Sequence, residues 1–109
     1  MRPTAPHGVD LVGRSVLDSA GRRIGAVQDI LVDVQSNAAE WLVVGEQPTH
    51  IGHAVPMACV IVQRRGGGVV VPFDRGTVES SPDVELDEGV TVDEEMALLR
   101  FWDFARGRR

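Results

Sequence analysis

Ile24-Gly25-Ala26-Val27-Gln28-Asp29-Ile30-Leu31-Val32-Asp33-Val34 is the stretch whose reading decides the fold. Its even positions carry Ile24, Ala26, Gln28, Ile30, Val32 and Val34, while its odd positions include Gly25, Asp29 and Asp33. A repeat of two is the strand period, so the even face is expected to point inward and the aspartates into water. Gly25 packs nothing and weakens a strand interior, so it marks a sharp bend or a close backbone approach, as the corner of a small barrel needs.

Working outward, Asp10 to Leu17 is expected to be a preceding strand, with Asp18-Ser19-Ala20-Gly21 between it and a second strand that begins at Arg23. An aspartate can bond the backbone of its own turn and a glycine at the fourth position takes a positive φ, which predicts a hairpin with a type I turn and a bulge. Gln35 to Ala39 is expected to turn the chain, and Trp41-Leu42-Val43-Val44 is apolar on both faces, as a central strand is. Gly45 to Gly52, broken by Pro48, is expected to be a loop; Val55 to Val62 a further strand; and Val69 to Phe73 its antiparallel return after the turn at residues 64–68. Short runs at this spacing predict a mainly β fold: a small curled antiparallel sheet or barrel of five to six strands.

The character changes after Ser81-Pro82. Residues 83–90 are acidic and are expected to lie over the surface as an extended link. Thr91-Val92-Asp93-Glu94 fits a capping box, in which hydroxyl and carboxylate each satisfy an orphan backbone amide. One C-terminal α-helix is therefore expected from Val92 to about Ala105, with Leu98, Phe101, Trp102 and Ala105 on one stripe and Met96 and Leu99 beside it. Burial of each large apolar side chain contributes about 1.5–3 kcal/mol, so the stripe must cover something, either its own sheet or a second subunit. Leu98, Phe101 and Trp102 are the candidate interaction surface. The organisation expected is a tail over residues 1–10, a β-domain over 11–80, and the acidic link with its helix over 81–109.

The chain has 109 residues and a net charge of −5, with 43% hydrophobic and 25% charged residues. That is the composition of a globular domain, not of a collagen-like, disordered or coiled-coil chain. The charge is uneven: residues 1–76 are balanced, and all the excess acid lies in residues 77–109. Every positive side chain is arginine, the sequence having no lysine. The lone cysteine, Cys59, and the lack of an apolar run near Met1 are what a cytoplasmic protein is expected to show.

Gly13, Val16, Asp18, Gly21, Ile24-Gly25, Val27, Asp29-Ile30-Leu31-Val32-Asp33 and Trp41-Leu42-Val43-Val44 share one register that resembles the PRC-barrel family. Val55-Pro56-Met57, Val71-Pro72-Phe73-Asp74 and Ser81-Pro82, followed by an acidic link and a terminal helix, look like the stand-alone bacterial members. The resemblance implies a small β-barrel used as a docking module, as in the reaction-centre H subunit and the ribosome maturation factor. It implies no shared catalytic residues. The expected function is a non-enzymatic adaptor or scaffold module acting through protein contacts as a homodimer; the alternative is a ribosome- or RNA-associated factor.

The residues capable of chemistry have plainer readings. His50-Ile51-Gly52-His53 spells a nucleotide-binding signature, but the length and strand pattern leave no α/β domain to hold it. A His-x-x-His metal pair needs a helix, which Pro48, Gly52 and Pro56 oppose, so no metal and no cofactor is expected. Cys59 lies in an apolar run and is expected to be a buried structural thiol. Asp29 and Asp33 stand four residues apart on one strand, too far for a shared proton. Asp83, Glu85, Asp87 and Glu94 imitate a calcium loop, but its sixth position holds Glu88 where glycine is needed. Arg64-Arg65 and Arg106-Gly107-Arg108-Arg109 are the basic clusters, and neither has interleaved aromatics, which argues against nucleic acid.

Overall fold

The computed structural model describes residues 11–46, 51–63, 67–85 and 90–107. Seven strands make one mixed sheet among them: β1 (Ser15–Leu17), β2 (Arg23–Val32), β3 (Ala39–Gly45), β4 (Ile51–Pro56), β5 (Ile61–Val62), β6 (Val69–Val70) and β7 (Asp83–Glu85). Their order is β5-β6-β1-β2-β3-β4-β7. Every pairing is antiparallel except that of β1 with β6. Two helices complete the fold, α1 (Arg75–Glu79) and α2 (Val92–Gly107). The protein is thus mainly β, a small curled sheet that does not close into a barrel, with one principal C-terminal helix.

Chain connectivity forces the curl. β4 and β5 lie five places apart in the sheet, about 24 Å if it were flat at roughly 4.8 Å per strand. Only residues 57–60 join them, and the path from Pro56 to Ile61 spans at most about 18 Å when fully extended. Part of that path is a 3₁₀ turn, Met57–Cys59, closed by the Val60 amide donating to the Met57 carbonyl at 3.1 Å. The expected single strand from Val55 to Val62 is therefore two strands and a turn. β4 also begins at Ile51, inside the stretch expected to be a loop. Pro48 and His50 fall outside the described residues.

The first hairpin follows its expected chemistry. Asp18 Oδ1 accepts from the Ala20 and Arg22 amides at 2.9 Å each, and Gly21 takes φ +86°. Gly25 is a close approach: a Cβ there would stand 2.9 Å from Val44 Cγ1 and 3.2 Å from the Gly45 carbonyl oxygen. The alternation along β2 needs correction. Val27 and Leu31, at odd positions, are buried, and Val34 on the even face is 72% exposed. The shift between Val27 and Asp29 moves the inward face from Val27 to Ile30, because a bulge inserts one residue and exchanges the faces beyond it, while Leu31, buried between Ile30 and Val32, shows both faces covered there, and Val34 lies beyond the end of β2.

Two further differences lie after β6. Pro72 and Phe73 leave the sheet, and Asp74 caps α1 by accepting the Thr77 amide at 2.8 Å. The start of the expected acidic link is instead β7, paired to β4 with Val84 buried between exposed Asp83 and Glu85. Residues 86–89 fall outside the described set. A single apolar cluster runs through the molecule, joining Val16, Val27, Ile30, Leu31, Trp41, Leu42 and Val55 to Leu98 and Trp102 of α2.

Candidate interaction surface

The capping box at the start of α2 forms as its residues require. The Thr91 amide donates to Glu94 Oε1 at 2.9 Å, and the Glu94 amide donates to Thr91 Oγ1 at 3.1 Å. Asp93, Glu94 and Glu95 occupy the first turn, where the helix dipole favours negative charge, and Arg106 the last.

The inner face of the helix is anchored by Trp102. Its indole Nε1 donates to the Ala54 carbonyl of β4 at 2.7 Å, so the buried ring leaves no polar atom unsatisfied. Phe73 lies tilted against it at 4.5 Å between centroids, and Phe101 meets it edge-on at 4.8 Å. Leu98 is fully buried beside them, and Phe101 and Ala105 are partly buried. Of the three residues expected to form an interaction surface, Leu98 and Trp102 thus belong to the chain's own core, and Phe101 lies at its margin. The helix packs within the chain.

The outer face is different. Val92, Met96 and Leu99 are 74%, 50% and 55% exposed and recur at i, i+4 and i+7. At about 100° per residue these positions fall within roughly 60° of arc. Phe104, 64% exposed, lies elsewhere on the helix, above a groove lined by Pro72, Phe73, Thr77 and Phe101. The helical period that singled out Leu98 and Trp102 also contained this second stripe; its signal was three apolar residues with acidic neighbours.

Where helix meets sheet, carboxylates crowd. Trp41 Nε1 donates to Glu95 Oε2 at 3.4 Å. The Glu40 carboxyl is held above its ordinary range by partial burial, then by the charges of Glu95 and Asp33 and a hydrogen bond with Glu95. Asp74 is held below its ordinary range chiefly by the Thr77 amide it caps.

Other reactive groups are committed to structure. His53 Nδ1 lies 3.2 Å from Ser81 Oγ and its Nε2 3.8 Å from Asp83 Oδ1, an arrangement with the membership of a hydrolase triad. Ser81 is buried, however, and its hydroxyl donates to the Val78 carbonyl at 2.7 Å. It therefore accepts from the imidazole and is not activated by it. These contacts fasten β7 and the end of α1 to β4. Cys59 is not the buried thiol expected: it ends the 3₁₀ turn and is partly exposed, because the chain bends away from the sheet after Pro56. No group of three or more metal-ligating side chains occurs among the described residues.

Arg22, Arg23 and Arg75 are likewise paired. Arg23 meets Glu46 at 3.1 Å, Arg75 reaches Glu79 at 3.4 Å and Glu46 at 3.7 Å, and Arg22 reaches Asp18 at 3.5 Å. Arg64, Arg65, Arg108 and Arg109 fall outside the described residues. No helix is long and apolar enough to cross a membrane among the residues described.

A curled β-sheet with one helix pinned across it and a second apolar stripe facing outward defines a small mainly β domain. The family profile described as PRC-barrel domain matches residues 7–78, well over half of the chain, and the chain belongs to that family. No curated protein matches the sequence. The matched residues contain β1 to β6 and most of α1; β7 and α2 lie beyond them.

Proposed function

We propose that this PRC-barrel protein is a non-enzymatic docking module that works in the cytoplasm through protein contacts, homodimerisation among them. The observation that carries this reading is the division of labour on α2. One face is held to β4 by Trp102 and Leu98, which fixes the helix; the other offers Val92, Met96 and Leu99 to solvent. Apolar side chains on a rigid element lose little entropy when a partner covers them, which is what an interface anchor requires. Membership of a family with barrels that dock on larger assemblies supports the same reading.

Affinity capture from a native lysate tests it. The wild-type chain and a Met96→Glu/Leu99→Glu variant are immobilised at equal density and the retained proteins compared by mass spectrometry. Docking through α2 predicts proteins enriched on the wild type and lost from the variant. Identical retained sets would overturn it.

A further inference from the structure

We propose that Pro82 is a positioning residue for α2: it withholds a backbone N–H at the start of β7, which leaves the Ala54 carbonyl of β4 open, and the Trp102 indole takes that place. The inference goes beyond the docking reading and holds whatever the outer face of α2 meets.

The register fixes which way each backbone group of β4 points. The Val27 amide donates to the Arg14 carbonyl at 2.9 Å and the Val27 carbonyl accepts the Gly13 amide at 2.8 Å, so both groups of Val27 face the β1 side. Val44, opposite Val27, therefore belongs to a pair without mutual hydrogen bonds and turns its own groups toward β4. Val44 stands opposite His53, and alternation along β4 sends the groups of His53 and Val55 to β3 and those of Gly52, Ala54 and Pro56 to the other side. Pro56 agrees with this assignment: having no N–H, it sits where β3 asks for none.

Gly52 and Val84 are thus the hydrogen-bonded pair of β4 with β7, followed by His53 with Asp83. The next pair in the same register is Ala54 with Pro82, and it too calls for a hydrogen bond, from the amide of residue 82 to the Ala54 carbonyl. Ser81 Oγ, 3.2 Å from His53 Nδ1, keeps the chain beside β4 at this point. Proline has no amide hydrogen to give. The Trp102 indole Nε1 donates to that carbonyl at 2.7 Å, from 48 residues away. Ala54 is fully buried, so an unfilled carbonyl there carries the whole cost of its desolvation.

One acceptor therefore has two possible donors, and the proline decides for the helix. The bond matters for position as well as for energy. The apolar contacts of Leu98 and Phe101 are non-directional, whereas an indole donates through one fixed N–H and sets where α2 lies along β4.

A double-mutant cycle of Pro82→Ala and Trp102→Phe tests the proposal, with proton exchange followed by NMR and stability by urea unfolding. Pro82→Ala supplies the missing N–H, so the Trp102 indole proton should exchange about threefold faster or more relative to the core amides of β2 and β3. Trp102→Phe keeps a ring and removes the donor. The effect of Pro82→Ala on the folding constant should then be more favourable by about fivefold or more in Trp102→Phe than in wild type, because only there is the carbonyl vacant. The influence of proline on the unfolded chain is common to both backgrounds and cancels. In the double variant the amide at position 82 should be protected from exchange.

An indole proton indifferent to Pro82→Ala, or additive effects around the cycle, overturns the proposal. The indole measurement on Pro82→Ala alone decides the matter where Trp102→Phe does not fold.

Discussion

The β2–β3 pair and α2 are both apolar enough to need cover, and they are covered to different extents. In the strands, Val27, Ile30, Leu31, Trp41, Leu42, Val43 and Val44 are all buried, so both faces are used. In the helix, Leu98 and Trp102 are buried while Val92, Met96 and Leu99 stay in solvent. The β2–β3 pair has no large apolar side chain left to offer a partner. A half-used helix does, and the contrast separates the residues that hold the fold from those free to make contacts.

Substitution on the two faces of α2 should expose that separation most strongly. Trp102→Ala removes the largest fully buried side chain, two aromatic contacts and the donor to Ala54. A loss of about 3–5 kcal/mol in urea unfolding is expected. Leu99→Ala on the outer face should change monomer stability by no more than about 0.5 kcal/mol. Equal losses at the two positions would break the comparison.

Within the saturated region, space is the sensitive quantity. A Cβ at Gly52 would stand 2.6 Å from Val43 Cγ1 and 3.2 Å from the Val44 carbonyl oxygen, and Val43 has no room to yield. Gly52→Ala should cost about 1–3 kcal/mol by overpacking, with no effect on self-association beyond that of the lost stability.

These two sites also mark what was legible in the sequence. Asp18-to-Gly21 and Thr91-to-Glu94 are local motifs whose bonds join residues two to four apart, and both form as their chemistry dictates. The inner stripe of α2 follows from the helical period alone. Family membership followed from one register of glycines, aspartates and apolar residues, and the profile match agrees. The bulges in β2 were not legible, because a bulge is a relation between two strands and Gln28 carries no mark of being the extra residue. β7 is three residues with one buried valine, too short to show alternation, and it owes its state to pairing with β4. α1 is five residues, less than two turns, and only Asp74 before Thr77 announced it. The outer stripe of α2 was visible as Met96 and Leu99, but which stripe the sheet would take depended on Trp102 reaching Ala54, a contact across 48 residues.

The helix start sets the next scale of effect. Thr91→Ala leaves the Glu94 amide without its hydroxyl acceptor and should cost about 1 kcal/mol, within a range of 0.5–2. Because α2 presents the outer stripe, fraying of its first turn should loosen Val92 and Met96 before Leu99. Amide exchange should rise in residues 92–96 and leave β2 and β3 unchanged.

The smallest effect, and the one most particular to the junction of the two regions, belongs to Glu40. Its carboxyl is raised by partial burial and by Glu95 and Asp33, so the folded protein holds that proton more tightly than the unfolded chain does. Between the unfolded value near 4.5 and the raised folded value, the native state binds more protons. Stability must then fall as pH rises through that window and recover as pH falls. Ionised Glu40 faces Glu95 across the seam where Trp41 contacts the helix, so the repulsion opposes the docking of α2 on β3. Glu40→Gln removes the charge and keeps the shape. It should raise stability at pH 7 by no more than about 0.5 kcal/mol, the scale of an exposed charge pair, and flatten the dependence above pH 4.5. Paired thermal melts of wild type and variant across that range measure it. Parallel profiles for the two proteins would show that the sheet and the helix meet without electrostatic opposition.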